Sequence, residues 1–250
     1  MVVTNYSYVL ENKNNKVVPL RRPQGIEYGR TYSAEEIDFS NLGCPHLLWM
    51  HADTFKLEVI RKAGTRFLTG ISYTDMQYVM YPLSVAKTIV FLDMFLYMYT
   101  VGREGQTCDP KVHLKSLNDH YKISKKVLDD YIEMYKGKGI SVTRKNVAGV
   151  VRTVLGGYFS HFLCSMNGTD DEEKRAHELY DKMKTGAPEI LEGLRGIKYE
   201  RLIPYFRIWE RTGKHLTDFP YNILKPIAKA TRNILRCGKH LLCSFLRIKR

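Results

Sequence analysis

The sequence predicts a mostly α protein: a helical core domain over residues 46–220, an irregular N-terminal arm over residues 1–45, and a basic amphipathic helix over residues 221–250. Three observations carry this reading. Apolar side chains recur at helical spacing through most of the chain after Tyr81. Prolines and glycines punctuate the start, where no period is sustained. The final segment opposes an apolar stripe to a row of cations and contains no carboxylate.

Pro19, Pro23, Gly25, Gly29, Gly43 and Pro45 interrupt the first segment, with Arg21 and Arg22 among them. Between residues 55 and 73, Phe55, Leu57 and Val59 alternate, then Phe67, Ile71 and Tyr73 follow, with Lys62 to Thr65 between. This pattern fits a short β-hairpin or the end of a helix. Phe91, Phe95 and Tyr99 then stand at i, i+4 and i+8 before Gly102, which predicts a buried helix with a glycine at its end. Further helices are expected from Lys111 to Tyr135 and from Lys145 to Met166; in the second, Gly149, Gly156 and Gly157 imply either a closely packed neighbour or a break. Thr169 and Glu172 form a capping box ahead of a helix reaching Lys184. Pro188 opens a short helix, Pro204 interrupts the next (Tyr199 to Arg211), and Pro220 sets off the last segment.

Composition narrows the function classes. Of 250 residues, 44% are hydrophobic, enough for a sizeable core. Lys and Arg number 39 against 26 Asp and Glu, a net charge of +13, so a polyanionic partner is favoured over a small neutral metabolite. Five scattered cysteines, Cys44, Cys108, Cys164, Cys237 and Cys243, do not make a disulfide framework and suggest a reducing compartment. The first twenty residues lack the apolar stretch of a signal peptide. The most apolar run, Tyr78 to Val101, is interrupted by Lys87 and Asp93, so a buried helix is expected there and not a membrane span. An intracellular location follows, in cytoplasm or in a ribonucleoprotein particle or virion.

Catalytic signatures are missing from the sequence: there is no phosphate loop, dinucleotide fingerprint, nucleophile elbow or His-Glu-x-x-His. Cys44 and His46 near His51, and Cys108 near His113 and His120, lack the paired spacing of structural zinc ligands. Neither an enzyme, a cofactor nor a metal is expected.

Two basic segments carry the functional reading. Between Asn222 and Arg250 lie eight Lys and Arg and no Asp or Glu. Lys225, Lys229, Arg232, Arg236 and Lys239 fall at spacings of four and three, confining them to one helical stripe with cations about 5–6 Å apart. Such a row suits the phosphates of a nucleic-acid strand, or, with its apolar side outward, an anionic bilayer. The second segment is the turn Lys136-Gly137-Lys138-Gly139, followed by Arg144 and Lys145 at the mouth of a helix and Arg152 two turns further in. That composition suits phosphate oxygens and has no role on a membrane. Tyr135, Tyr158, Tyr199, Tyr205, Phe206, Trp209 and Tyr221 offer stacking surfaces for unpaired bases.

The chain therefore reads as a sequence-tolerant RNA-binding structural protein of a ribonucleoprotein particle, contacting the backbone and forming a homo-oligomer or a subunit of a larger assembly. In build it resembles the nucleoproteins of negative-strand RNA viruses and the accessory proteins of ribosome-like particles. The alternatives are a matrix-type assembly protein on an acidic membrane surface, and an enzyme acting on nucleic acid.

Overall fold

The computed structural model describes residues 1–44, 46–107, 112, 116–165, 169–198 and 203–218. Its fold is α/β, about 52% helical with 16% strand, and not mostly α. Strands β1 (Val2–Leu10), β2 (Lys16–Pro19), β3 (Thr31–Ser33), β4 (Asp53–Thr54) and β5 (Thr88–Val101) form one mixed sheet in the order β2-β1-β5-β3, with β4 on β1. β1 runs parallel to β5 and antiparallel to β2 and β4, and β3 is antiparallel to β5.

Three expectations are corrected by this sheet. The irregular N-terminal arm is in fact the sheet's centre: β1 buries residues on both faces, including the polar Thr4, Asn5 and Ser7. A strand enclosed on both sides need not alternate, which hid it in the sequence. The helix expected through Phe91, Phe95 and Tyr99 is strand β5. A spacing of four satisfies a strand's period of two as well as a helix's, and the β-branched and aromatic composition of Thr88 to Phe91 decides for the strand. The hairpin near residues 55–73 is absent: a short helix, α1 (Leu57–Lys62), and a loop occupy that stretch.

The helical layer comprises α2 (Asp75–Val85), α3 (Leu117–Tyr135), α4 (Val142–Ser165), α5 (Asp170–Gly186), α6 (Pro188–Arg195) and α7 (Tyr205–Thr212). α4 is its axis and packs on α2, α3, α6 and α7. Val147, Val151, Leu155, Phe159 and Phe162 on its inner face are fully buried. By length and composition Val142–Cys164 could cross a bilayer, but 61% of its most apolar window is buried inside the fold, as in a core helix. The Thr169 and Glu172 capping box forms as the sequence indicates, with the Thr169 hydroxyl accepting from Glu172 N and the Glu172 carboxylate accepting from Thr169 N. Of the α4 glycines, Gly156 answers to close packing, since a Cβ there would lie 3.1 Å from Ile197 Cδ1.

A second core lies between the sheet and residues 20–47, built from Tyr6, Ile89 and Phe91 against Ile37, Phe39 and Leu42. Asn146 of α4 joins the two layers. Its Oδ1 accepts from Phe39 N (3.0 Å) and its Nδ2 donates to Ile37 O (2.6 Å), burying no unpaired polar atom of its own.

Candidate nucleic-acid interface

The outer face of α4 lines an open groove. Lys145, Gly149, Arg152, Thr153, Gly156 and Ser160 recur at helical spacing along it, over about 22 Å at 1.5 Å per residue. One end is a cavity of about 650 Å³ walled by the loop through Asp38, Ser40, His46 and Trp49. The other is a cavity of about 430 Å³ walled by Ile197, Lys198 and Tyr205. Both include Arg152 and Thr153, so the cavities meet there. The Asn146 bonds to residues 37 and 39 hold the first wall, and Ile197 against Gly156 holds the second.

Charge in the groove is one-sided. Lys145, Arg152 and Lys198 are exposed and, among the described residues, form no ion pair. Of the two carboxylates that line the groove, Glu189 pairs with Arg144 (2.7 Å), while Asp38 accepts from Ser40 N (3.0 Å) and is in no ion pair among the described residues. Three cations against this one unpaired carboxylate leave the groove net positive, the condition for attracting a polyanion.

The sequence-derived residues fall into three groups. Lys145 and Arg152 line the groove. Lys136 and Lys138 are exposed on the turn before α4, which Gly137 makes with φ of 69°. Arg144, by contrast, is turned inward: only 12% of its side chain is exposed. Its Nε meets Tyr131 Oη (3.2 Å) and Glu189 Oε1 (3.0 Å), and its Nη1 donates to the carbonyls of Lys138 and Gly139. Burial would lower its pKa, yet the hydrogen bonds to Tyr131 and Glu189 outweigh burial and raise it. Arg144 thus fastens the turn, and its guanidinium also lies 5.4 Å from the Tyr135 ring centroid. The C-terminal stripe, Lys225, Lys229, Arg232, Arg236 and Lys239, lies outside the described residues, as do Cys108, His113, Tyr199 and Tyr221.

The aromatic expectation is mostly corrected. Tyr158, Tyr205, Phe206 and Trp209 are core residues, each under 4% exposed. Their helical spacing marked an inner face, and the nearby charge belonged to the other side. Sequence reasoning missed Trp49 and Lys198. Trp49 is half-buried at the cavity rim, edge-on to His46 with ring centroids 4.7 Å apart. Both come from segments distant in sequence that only the tertiary fold brings to α4.

Among the described residues no group of three His, Cys, Asp or Glu side chains is placed to hold a metal ion. Cys44 instead donates to the Arg21 carbonyl (2.5 Å), and His51 stacks on Tyr97 with ring centroids 5.1 Å apart. No protein-family model, curated protein or solved structure matches the chain.

Proposed function

We propose that the protein binds RNA through the sugar-phosphate backbone, without sequence preference, as a structural component of a ribonucleoprotein particle. The observation that carries this reading is the α4 groove, where Lys145, Arg152 and Lys198 stand without acidic partners among the described residues along a continuous open channel. Ser160 adds a hydroxyl on the same face, whereas the Thr153 hydroxyl donates back to Gly149 O (3.0 Å), and Lys136 and Lys138 extend the positive field beyond the Trp49 cavity. Phosphate contacts of this kind position a strand and carry no sequence code. Trp49 supplies a ring for one unpaired base, an interaction worth about 1–3 kcal/mol. The C-terminal stripe from Lys225 to Lys239 adds a second row of cations in the same scheme. In this proposal the protein acts by binding and not by catalysis.

Fluorescence anisotropy with a single-stranded RNA at several salt concentrations tests it. Each single-strand phosphate contact contributes about 0.7 to the slope of log K against log salt. Replacing Lys145, Arg152 and Lys198 together by Gln flattens that slope by about 2. An unchanged slope removes the groove from the site, and wild-type protein that fails to bind RNA at low salt removes the function.

A further inference from the structure

We propose, resting on the RNA-binding reading, that the cavity beside Trp49 is a ribonucleotide subsite. In it Asp38 accepts a hydrogen bond from a ribose 2′-hydroxyl, so that the groove prefers RNA to DNA. The cavity brings three chemistries together: the half-buried ring of Trp49, the carboxylate of Asp38, and the cations Lys145 and Arg152. A ribonucleotide carries the matching set, a π-face, a sugar hydroxyl and a phosphate. The volume of about 650 Å³ falls within the range of about 300–1,000 Å³ typical of ligand sites. The second cavity, beside Tyr205, is lined by cations and hydroxyls but by no carboxylate, and its one ring is 3% exposed.

Asp38 is the residue that phosphate binding alone does not explain. A carboxylate beside Lys145 and Arg152 weakens the field that attracts a polyanion. Its local role as a cap occupies one oxygen only: Oδ1 accepts from Ser40 N (3.0 Å) and from Ser40 Oγ (2.5 Å). Oδ2 has no hydrogen bond and no ion pair among the described residues. An acceptor in a cationic cavity is useful to a strand that brings a donor. Within a sugar-phosphate backbone the 2′-hydroxyl is that donor, and DNA lacks it.

The acceptor is fixed in place before any strand arrives. The residues on either side of Asp38 are bonded to α4: Phe39 N donates to Asn146 Oδ1, and Asn146 Nδ2 donates to Ile37 O. Asn146 is the neighbour of Lys145, so the same turn of α4 that presents a cation to the phosphate also anchors the loop that presents Asp38. The two bonds from Ser40 hold the carboxylate itself. A group ordered this way loses little freedom on binding, which favours affinity. A base amino group is the other donor a strand offers, and strands of a single base separate the two sources.

Fluorescence anisotropy on the full chain at one salt concentration, with adenine-only strands of RNA, DNA and 2′-fluoro RNA, tests the subsite. All three share the base, and the 2′-fluoro strand keeps an RNA-like sugar pucker without the donor. RNA is expected to bind about tenfold more tightly than either of the others, the worth of one hydrogen bond to a charged acceptor. Asp38→Asn leaves an oxygen for the Ser40 amide and is expected to bring the three affinities together. The 2′-fluoro comparison needs no variant, so it holds even if Asp38→Asn fails to fold. Equal binding of RNA and DNA by the wild type overturns the subsite while backbone binding stands. A 2′-fluoro strand bound as tightly as RNA overturns it too, since pucker then sets the preference. So does an Asp38→Asn protein that binds every strand more tightly yet keeps the preference, because Asp38 then acts by repulsion alone. A wild type that binds none of the three strands removes the RNA-binding reading itself, and the subsite with it.

Discussion

Glu35 caps Val142: its Oε2 accepts the Val142 amide at 2.8 Å, and its Oε1 accepts that of Thr143 at 3.2 Å. A carboxylate from the sheet layer thus occupies the N-terminus of α4, where free N–H groups and the helix dipole would otherwise attract a phosphate. Hydrogen bonds from Thr143 and Val142 hold the Glu35 carboxyl below its ordinary range. RNA is therefore expected along the side of α4, at Lys145 and Arg152, and not at its tip.

Glu35→Ala removes this cap, and a cap of this kind stabilises by about 1 kcal/mol. Urea denaturation at neutral pH is expected to show a loss of that order. Because the folded pKa is lowered, the contribution is present above the unfolded carboxyl value and fades as pH falls through the folded one. RNA affinity is expected to rise in the same variant, since a negative charge near Lys138 and Lys145 is gone and the α4 amides are freed. Weaker RNA binding by a folded Glu35→Ala protein would contradict this account of the tip.

The cap also shows where sequence reading stops. The helix start after Thr169 was legible because Thr169 and Glu172 set it locally, whereas the helix expected from Lys145 begins three residues earlier, at Val142, where its cap comes from the distant Glu35. The sheet was not legible. β1 and β5 pair residues almost ninety positions apart, and Phe91, Phe95 and Tyr99 carry a spacing common to helix and strand. Lys145 and Arg152 were found from charge alone. Trp49 and Lys198 were not, because each sits in a loop or at a helix end with no pattern of its own, and Asn146 and Gly156 fix their place by contacts invisible in one dimension.

Asp53 gives the fold a pH dependence of opposite sign to that of Glu35. Both its carboxylate oxygens are buried with no hydrogen-bond partner among the described residues. Burial raises its pKa well above the ordinary value, and the Met1 ammonium offsets only part of that. In the folded protein Asp53 holds a proton that the unfolded chain releases near pH 3.8, so stability falls as pH rises from there to the folded pKa. The slope for one group is at most about 1.4 kcal/mol per pH unit. Asp53→Asn is expected to remove it, so the stability of the variant relative to wild type grows between pH 4 and neutrality in denaturant titrations. His46 and His51, whose pKa values burial lowers, titrate in both proteins and cancel in the difference. A difference that stays flat across that range would show Asp53 to be ionised in the folded state.

Gly193 controls where Arg152 lies. A Cβ added at Gly193 would stand 2.5 Å from Arg152 Cδ and 3.0 Å from its Nη1, so the arginine side chain lies across the glycine and must leave if the site is filled. Gly193 is inside α6 and is not among the positive-φ glycines, so alanine fits the backbone and raises helix stability by up to about 1 kcal/mol. The atoms displaced belong to a flexible, exposed side chain and move at little cost. Gly193→Ala is therefore expected to melt at the same temperature as wild type or higher, yet to bind single-stranded RNA more weakly, with a flatter salt slope by about 0.7 if one phosphate contact is lost. Arg152→Gln should reproduce the binding loss, and adding Gly193→Ala to Arg152→Gln should change it no further. Additive losses in the double variant would mean that α6 itself touches the strand and that Gly193 does not act through Arg152.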